Sequence, residues 1–538
     1  MEKRWDRASS AILFTIIFAA ELGFGIYVMY YNDYISGDSL SRVANAFFVL
    51  HSRDPHLGAI GFVWNPLPSM LEMIPLLLWD WVPSVASSGL ASAAVTAFFA
   101  AAAALLLYLA VVHNGGGRIP GLLLAIVYTA NPFNFVYGSN GMSEAIFAFF
   151  IIATVYTFTR WITTRRLSYL IYGGLALAMG FWTRYEAVAL GIGLTLCFVW
   201  AVFQQHRSLM LVNRKQLLQR HNLRGRLEAV LLVFLVPSIV SGALWIMFNY
   251  LIMQDPLYFL RSGYSNLAFA EDLTANQQFV DMIGSPVAVL SWVLRKSAYF
   301  SIPLLGILAV RILTRRIKDL DTFWLLLVSL SIPAMQFYML YNGSSYGWLR
   351  FFVYPMVIAA AWIPYEISCL ESHKARKPLI AFLIACLAAS SFVVMDMQDP
   401  ELATEEYGLF HMSDSTSSRD HRMSREIALA VDELVKPDEE GGKLVLTDSF
   451  SAFPILVNSA YPAQWIITND RDFNENLKDP VGKGVDYILV SKAKGSVYRV
   501  IDANYPFLFE GRETWTRLVK DFNGEWRLYQ VISPGSSS

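Results

Sequence analysis

Charge is scarce in this chain. Only 16% of its 538 residues are Asp, Glu, Lys or Arg, whereas 55% are hydrophobic. With a mean hydropathy of +0.42, that balance excludes a soluble globular protein of this length and implies a polytopic membrane protein. Cysteine is scarcer still. Cys197, Cys369 and Cys386 lie in or beside apolar runs without metal-ligand spacing, which excludes a disulfide framework and a zinc site and leaves them as packing residues. The first apolar run, in "MEKRWDRASSAILFTIIFAAELGFGIYVMYY", is not followed by a small-residue cleavage pattern, so it reads as a retained span. The net charge of −1 carries no information about partners, because basic and acidic residues occupy different loops; no nucleic-acid partner is expected.

What is present is a series of apolar runs long enough to cross about 30 Å of hydrocarbon. They fall near 9–31, 89–112, 119–134, 143–159, 167–182, 187–206, 227–251, 286–311, 321–340, 351–369 and 377–395, about eleven spans. Alternate connections ("MEKRWDR", "HNGGGR", "TRWITTRR", "QQHRSLMLVNRKQLLQRHNLRGR", "RILTRRIKD", "ESHKARK") carry Arg or Lys in excess of acid. The positive-inside rule makes these cytoplasmic, together with the N-terminus, and puts the C-terminus outside. The expected location is the plasma membrane, and the expected domains are a membrane unit, 1–395, and an extracytoplasmic unit, 396–538. The second unit reads as a helix over 421–436, strands "KLVLTD", "QWIITN" and "VDYILVS" with helices between them, and a closing pair "WTRLVKDF" and "EWRLYQVI". Such alternation predicts a small α/β layer fold. It holds neither a Gly-rich phosphate loop nor a His or Cys cluster, which leaves acceptor binding or packing as its roles.

With that orientation, polar residues collect at the outer ends of the spans. Asp33, Asp38 and Arg42 follow the first span; Glu144 opens the fourth; Arg184 and Glu186 lie between the fifth and sixth. Arg261 and Tyr264 are in the long loop after the seventh, Arg295 and Lys296 are inside the eighth run, and Arg350 opens the tenth. The first outer loop, roughly fifty-five residues, is too long for a connector. Within it "SLSRVANAFFVL" and "NPLPSMLEMIPLLLW" are amphipathic and too short to cross, so both read as interfacial helices, the second broken by Pro66, Pro68 and Pro75.

In order and sidedness these segments resemble the GT-C class of polyprenyl-phosphate-sugar-dependent glycosyltransferases, which includes protein O-mannosyltransferases and lipid A aminoarabinose transferases. The matching segments are "SGDSLSRVANA", with its acid just outside the first span, "WNPLP" where that class has a Pro-Pro-Leu-like sequence, "ANPFNFVYGSNGMSEAIFAFF", "GFWTRYEAVAL" and "LRFFVYPMV". The resemblance implies a GT-C-like membrane domain that moves a hexosyl or pentosyl group from a polyprenyl-phosphate-linked donor to a hydroxyl of a lipid, glycan or protein. One departure stands out. Many members follow the key Asp with Glu, whereas Ser39 follows Asp38 here, so a second carboxylate is absent or comes from Asp33, Glu144 or Glu186. No cofactor is firmly implied, and a divalent cation is left open.

Such a transfer needs a carboxylate to accept the acceptor proton and cations to hold the departing phosphate. Asp38 is the expected base, with Asp33 and Glu144 as supporting catalytic acids; a purely structural Asp38 would instead N-cap its helix, worth about 1 kcal/mol. For the phosphate the candidates are Arg42, Arg184, Arg261, Arg295, Lys296 and Arg350, since a guanidinium fork matches phosphate oxygens. Glu186 and Tyr264 complete the expected substrate-binding set. If both helical, Arg184 and Glu186 would face different sides and need not neutralise each other. Glu21, mid-span, is expected to be protonated or paired. Two other functions remain: a lipid or saccharide transporter or flippase, disfavoured because the acids gather at one face, and a membrane polysaccharide ligase or polymerase.

Overall fold

The computed structural model describes residues 2–212, 220–263, 265, 268, 280–437, 442–493 and 499–532. Eight helices are long and apolar enough to cross a membrane: Ala8–Tyr31, Leu90–His113, Glu144–Thr164, Ala187–His206, Leu223–Met253, Leu320–Tyr341, Leu349–Cys369 and Arg376–Met397. Two expected spans are not straight. Arg118–Thr129 turns by 71° into Pro132–Ser139, and Pro286–Ser297 turns by 66° into Tyr299–Leu313; counting each pair as one span gives ten. The first bend falls at Asn131–Pro132, where proline cannot donate to the preceding turn and disfavours helix at the residue before it; the Asn131 side chain caps the new helix through Phe133 N. The run at 167–182, expected as a further span, is the shorter helix Leu167–Thr183. Length and composition thus give eight to ten spans among the described residues, and the seventeen-residue apolar helix Leu167–Thr183, running from Arg166 to Arg184, is the one expected span outside that count.

Between the first two spans the chain forms the two short helices expected there, Gly37–His51 and Leu67–Leu76. The apolar side of the first (Val43, Ala44, Phe47, Phe48) is buried in a cluster that continues into the C-terminal unit through Ile427, Val431, Ala452 and Ile455. That unit is a layered α/β structure, with helix Thr416–Val435 packed on a five-stranded sheet. Its strands are β1 (Val445–Thr447), β2 (Trp465–Ile467), β3 (Tyr487–Ser491), β4 (Thr516–Phe522) and β5 (Trp526–Val531), in the order β2-β1-β3-β5-β4. β1 is parallel to β2 and β3, while β5 is antiparallel to β3 and β4. The parallel strands are buried on both faces, which is why they read as unbroken apolar runs.

The two ends of the helical bundle differ. At one, the basic loops meet: Arg311, fully buried, bonds Glu366, Asp321 and Thr322, Arg316 joins the same acids, and Arg376 reaches the Gly115 carbonyl. At the other, the first-loop helices, residues 140–144, 184–186 and 345–352, and the C-terminal unit come together. A buried charge persists only when paired, and the second end holds a cluster whose pairing is incomplete.

Candidate active site

Asp38 lies in the first turn of Gly37–His51, but Ser36 is the N-cap residue, and the Asp38 carboxylate does not cap. It accepts from Arg350 Nη2 at 2.9 Å, across more than three hundred residues of chain. Arg350 sits in a 3₁₀ turn at the mouth of its span, over the Trp348 ring at 4.3 Å. Its Nε also faces Glu405 Oε2 at 3.1 Å and Glu144 Oε1 at 3.7 Å. Glu144 is in turn bonded to Arg184, which binds Glu186 at 2.6 Å and Ser143 Oγ at 3.1 Å. Asp38, Glu144, Arg184, Glu186 and Arg350 are thus one continuous network.

Arg184 and Glu186 do neutralise each other, contrary to expectation. Arg184 has left the helix, with extended backbone at φ −153° and ψ 145°, and this turns its guanidinium back onto Glu186. Ser39, which stands where the resembled class has a second acid, is fully buried and shares a 2.8 Å hydrogen bond with Ser92. Gly141, at φ +77°, packs against both hydroxyls, and a Cβ there would collide with them. A glutamate at 39 has no room.

Arg42 behaves differently from the other two arginines. Its guanidinium is buried and stacked on Trp64 at 4.6 Å, yet its one hydrogen bond among the described residues goes to the Asp38 backbone oxygen at 3.3 Å. It makes no carboxylate ion pair there. Its guanidinium acts on the Asp38 carboxylate through charge without a hydrogen bond to it, which leaves donors for another anion.

Other expected residues lie elsewhere. Asp33, at φ +52°, turns to the C-terminal unit, accepting from Arg425 at 2.7 Å beside His421. Arg261 and Arg295 are mostly exposed and at 3.8 Å from Asp255 and Asp399 respectively. Lys296 is buried at the bend of its broken span and donates to the Gly347 carbonyl at 2.6 Å, so it holds the loop that carries Trp348 and Arg350. Tyr264 lies outside the described residues. Glu21 is fully buried, and neither carboxylate oxygen has a hydrogen-bond partner among the described residues.

Three acids escaped the sequence reading. Glu405 and Glu406 come from the short helix Thr404–Tyr407 after the last span; Tyr34 donates to the Glu405 carbonyl at 2.9 Å and Tyr137 to Glu406 at 2.5 Å. The paired acids of "ATEEYG" were the available signal. Glu72 is buried in Leu67–Leu76, with one oxygen unbonded.

The electrostatics separate the acids. Burial alone would raise Asp38, but Arg350, then Arg42 and Arg184, outweigh it and hold the carboxyl below the usual range. Glu405 goes the other way: burial, reinforced by Glu406, Asp38 and Glu144, overcomes the pull of Arg350 and pushes it up to about 8. Burial also raises Glu72 well above its ordinary value. Among the described residues no group of three His, Cys, Asp or Glu side chains is placed to hold a metal ion.

Residues 76–220 match the family model described as dolichyl-phosphate-mannose-protein mannosyltransferase. This stretch carries Glu144, Arg184 and Glu186. No curated protein matches the chain. Among solved structures, the crystal structure of ArnT from Cupriavidus metallidurans bound to undecaprenyl phosphate superposes with a TM-score of 0.54 at 11% identity, over 97% of this chain and 98% of that one. The chain has the fold of ArnT. The ArnT-like fold extends over the C-terminal unit as well as the helices, and it bears out the GT-C architecture that the resemblance implied.

Proposed function

We propose that this protein is a membrane glycosyltransferase that moves a sugar from a polyprenyl-phosphate-linked donor to an acceptor hydroxyl on the outer face of the membrane. The observation that carries the reading is the cluster itself: a partly exposed carboxylate, Asp38, beside two buried guanidiniums, Arg350 and Arg42, the latter without a carboxylate ion pair among the described residues. The family match and the ArnT-like fold, in a protein crystallised with undecaprenyl phosphate, support the donor class. The excess of Arg and Lys in the loops at the opposite end supports the outer placement of the site.

In the proposed reaction the acceptor oxygen attacks the anomeric carbon of the donor sugar, and its proton passes to Asp38. The bond from that carbon to the phosphate oxygen breaks, and polyprenyl phosphate leaves on Arg42 and Arg350. Asp38 is a weak base because the arginines hold it ionised, which suits an activated leaving group and an early need for charge rather than for strong proton affinity. The acceptor is a lipid, glycan or protein hydroxyl.

Full-length protein in vesicles, given a polyprenyl phosphate carrying a labelled sugar and an envelope extract as acceptor source, tests this. Label should leave the lipid and free polyprenyl phosphate should accumulate. Movement of intact labelled lipid between leaflets without bond cleavage would replace the enzyme with a flippase.

A further inference from the structure

Resting on that function, we infer that Glu405 is a gate on the donor seat: its carboxylate sits in charge contact with Arg350, the guanidinium proposed to hold the lipid-linked phosphate, so carboxylate and donor compete for one cation. The geometry singles out this residue. Arg350 donates from Nη2 to Asp38 at 2.9 Å, while its Nε lies 3.1 Å from Glu405 Oε2 as a charge contact, with no hydrogen bond to either atom among the described residues. The Arg350 side chain is 3% exposed, whereas those of Asp38 and Glu405 are 30% and 29% exposed. Glu144 and Glu186 are enclosed and committed to Arg184. Glu405 comes from the segment joining the last span to the C-terminal unit, a four-residue helix held by Tyr34 and, through Glu406, by Tyr137.

Charge makes the competition unavoidable. Asp38, Glu144, Glu186, Glu405 and Glu406 outnumber Arg42, Arg184 and Arg350 even with Lys296 added, and a phosphate brings further negative charge into the same space. One carboxylate must take a proton or withdraw. Asp38 faces three guanidiniums and resists protonation. Glu406 is bonded to the Tyr137 hydroxyl, with Arg350 and Lys296 nearby. Glu405 faces Arg350, Glu406, Asp38 and Glu144, and with a pKa of about 8 it takes a proton most readily among the partly exposed acids. Donor binding is then linked to proton uptake at Glu405. As pH rises the carboxylate increasingly holds the arginine and donor binding weakens; as pH falls the protonated acid releases it.

Binding of polyprenyl phosphate to the full-length protein in detergent tests this without turnover, between pH 7.5 and 9.5, where the phosphate's own charge is constant because its second ionisation lies near 6. For the wild type the apparent Kd should rise about tenfold or more across that range, the limit for one linked proton being tenfold per pH unit. Glu405→Gln should bind at pH 9.5 as it does at 7.5, and more tightly than the wild type at the alkaline end. An E405Q protein that keeps the wild-type slope, or binds more weakly at every pH, overturns the gate; E405A serves as a second variant if E405Q does not purify as a monodisperse protein. A wild type that fails to bind the lipid phosphate at any pH defeats the transferase reading instead.

Discussion

Asp38 and Arg42 show how far one side chain's role depends on partners remote in sequence. Asp38→Asn keeps the size of the side chain and some hydrogen bonding to Arg350, so the protein should fold while kcat falls about 10²- to 10⁴-fold, the usual span for general-base loss. The wild-type rate should stay level as pH falls from 7 through the ordinary carboxylate range. Since the folded pKa of Asp38 is depressed, its charge and its ion-pair stabilisation are fully present above the unfolded value and vanish only as pH drops through the lower folded one. An acid limb at pH 5 or above in a kcat profile would argue for another base. Arg42→Ala removes a cation without stranding a paired carboxylate, so it should raise the donor KM at least tenfold and leave the melting temperature within a few degrees. Arg350→Ala, by contrast, strands the Asp38 carboxylate and should cost both activity and stability. Asp38, Glu144, Arg184, Glu186 and Arg350 were legible in the sequence because each sits at a span end on the same side. Arg261, Arg295 and Asp33 share that side, yet lie apart, because sidedness gives depth and not position around the bundle. Glu405 was missed although its paired acids in "ATEEYG" were visible, since two acids in a polar linker look like a solvated turn.

At the scale of elements, the site depends on where helices stop. Thr183 ends one, Arg184 is extended, and the next begins at Ala187, so the guanidinium swings between Glu144 and Glu186. Arg184→Ala leaves both acids enclosed without a cation and should destabilise the protein by about 3–5 kcal/mol, read as loss of thermal stability in detergent; Arg184→Lys should recover only part of this because one ammonium does not span both. Hydropathy located the spans but not the bends, because a window average is blind to direction. The turn at Pro132 is written in proline, whereas Lys296, expected mid-span, became intelligible only with the bend after Ser297 that brings it to Gly347.

For the whole molecule, the C-terminal unit is seated on the first-loop helices that carry Asp38. Arg53 pairs with Asp470 and Asp472, Arg471 with Asp54, Arg425 with Asp33, and Asn469 donates to the Ala59 carbonyl. The exposed pairs contribute about 0.2–1 kcal/mol each; the shared apolar cluster around Phe47 and Ile455 does more. Phe47→Ala should therefore cost about 3–5 kcal/mol and open the segment after the last span to limited proteolysis, whereas Arg471→Ala should leave the cleavage pattern unchanged. The α/β order of this unit was readable from its short apolar strands; its seat on the first loop was not, because nothing in one amphipathic helix says which surface covers it. The central claim, that the Asp38 end of the bundle seats a lipid-linked phosphate, is tested most directly by a cryo-electron microscopy map of the full-length protein with polyprenyl phosphate. The account predicts phosphate density within hydrogen-bonding distance of Arg42 and beside Asp38 and Arg350. Density at the opposite end, against Arg311 or Arg316, or none at the Asp38 cluster at saturating lipid, would contradict it.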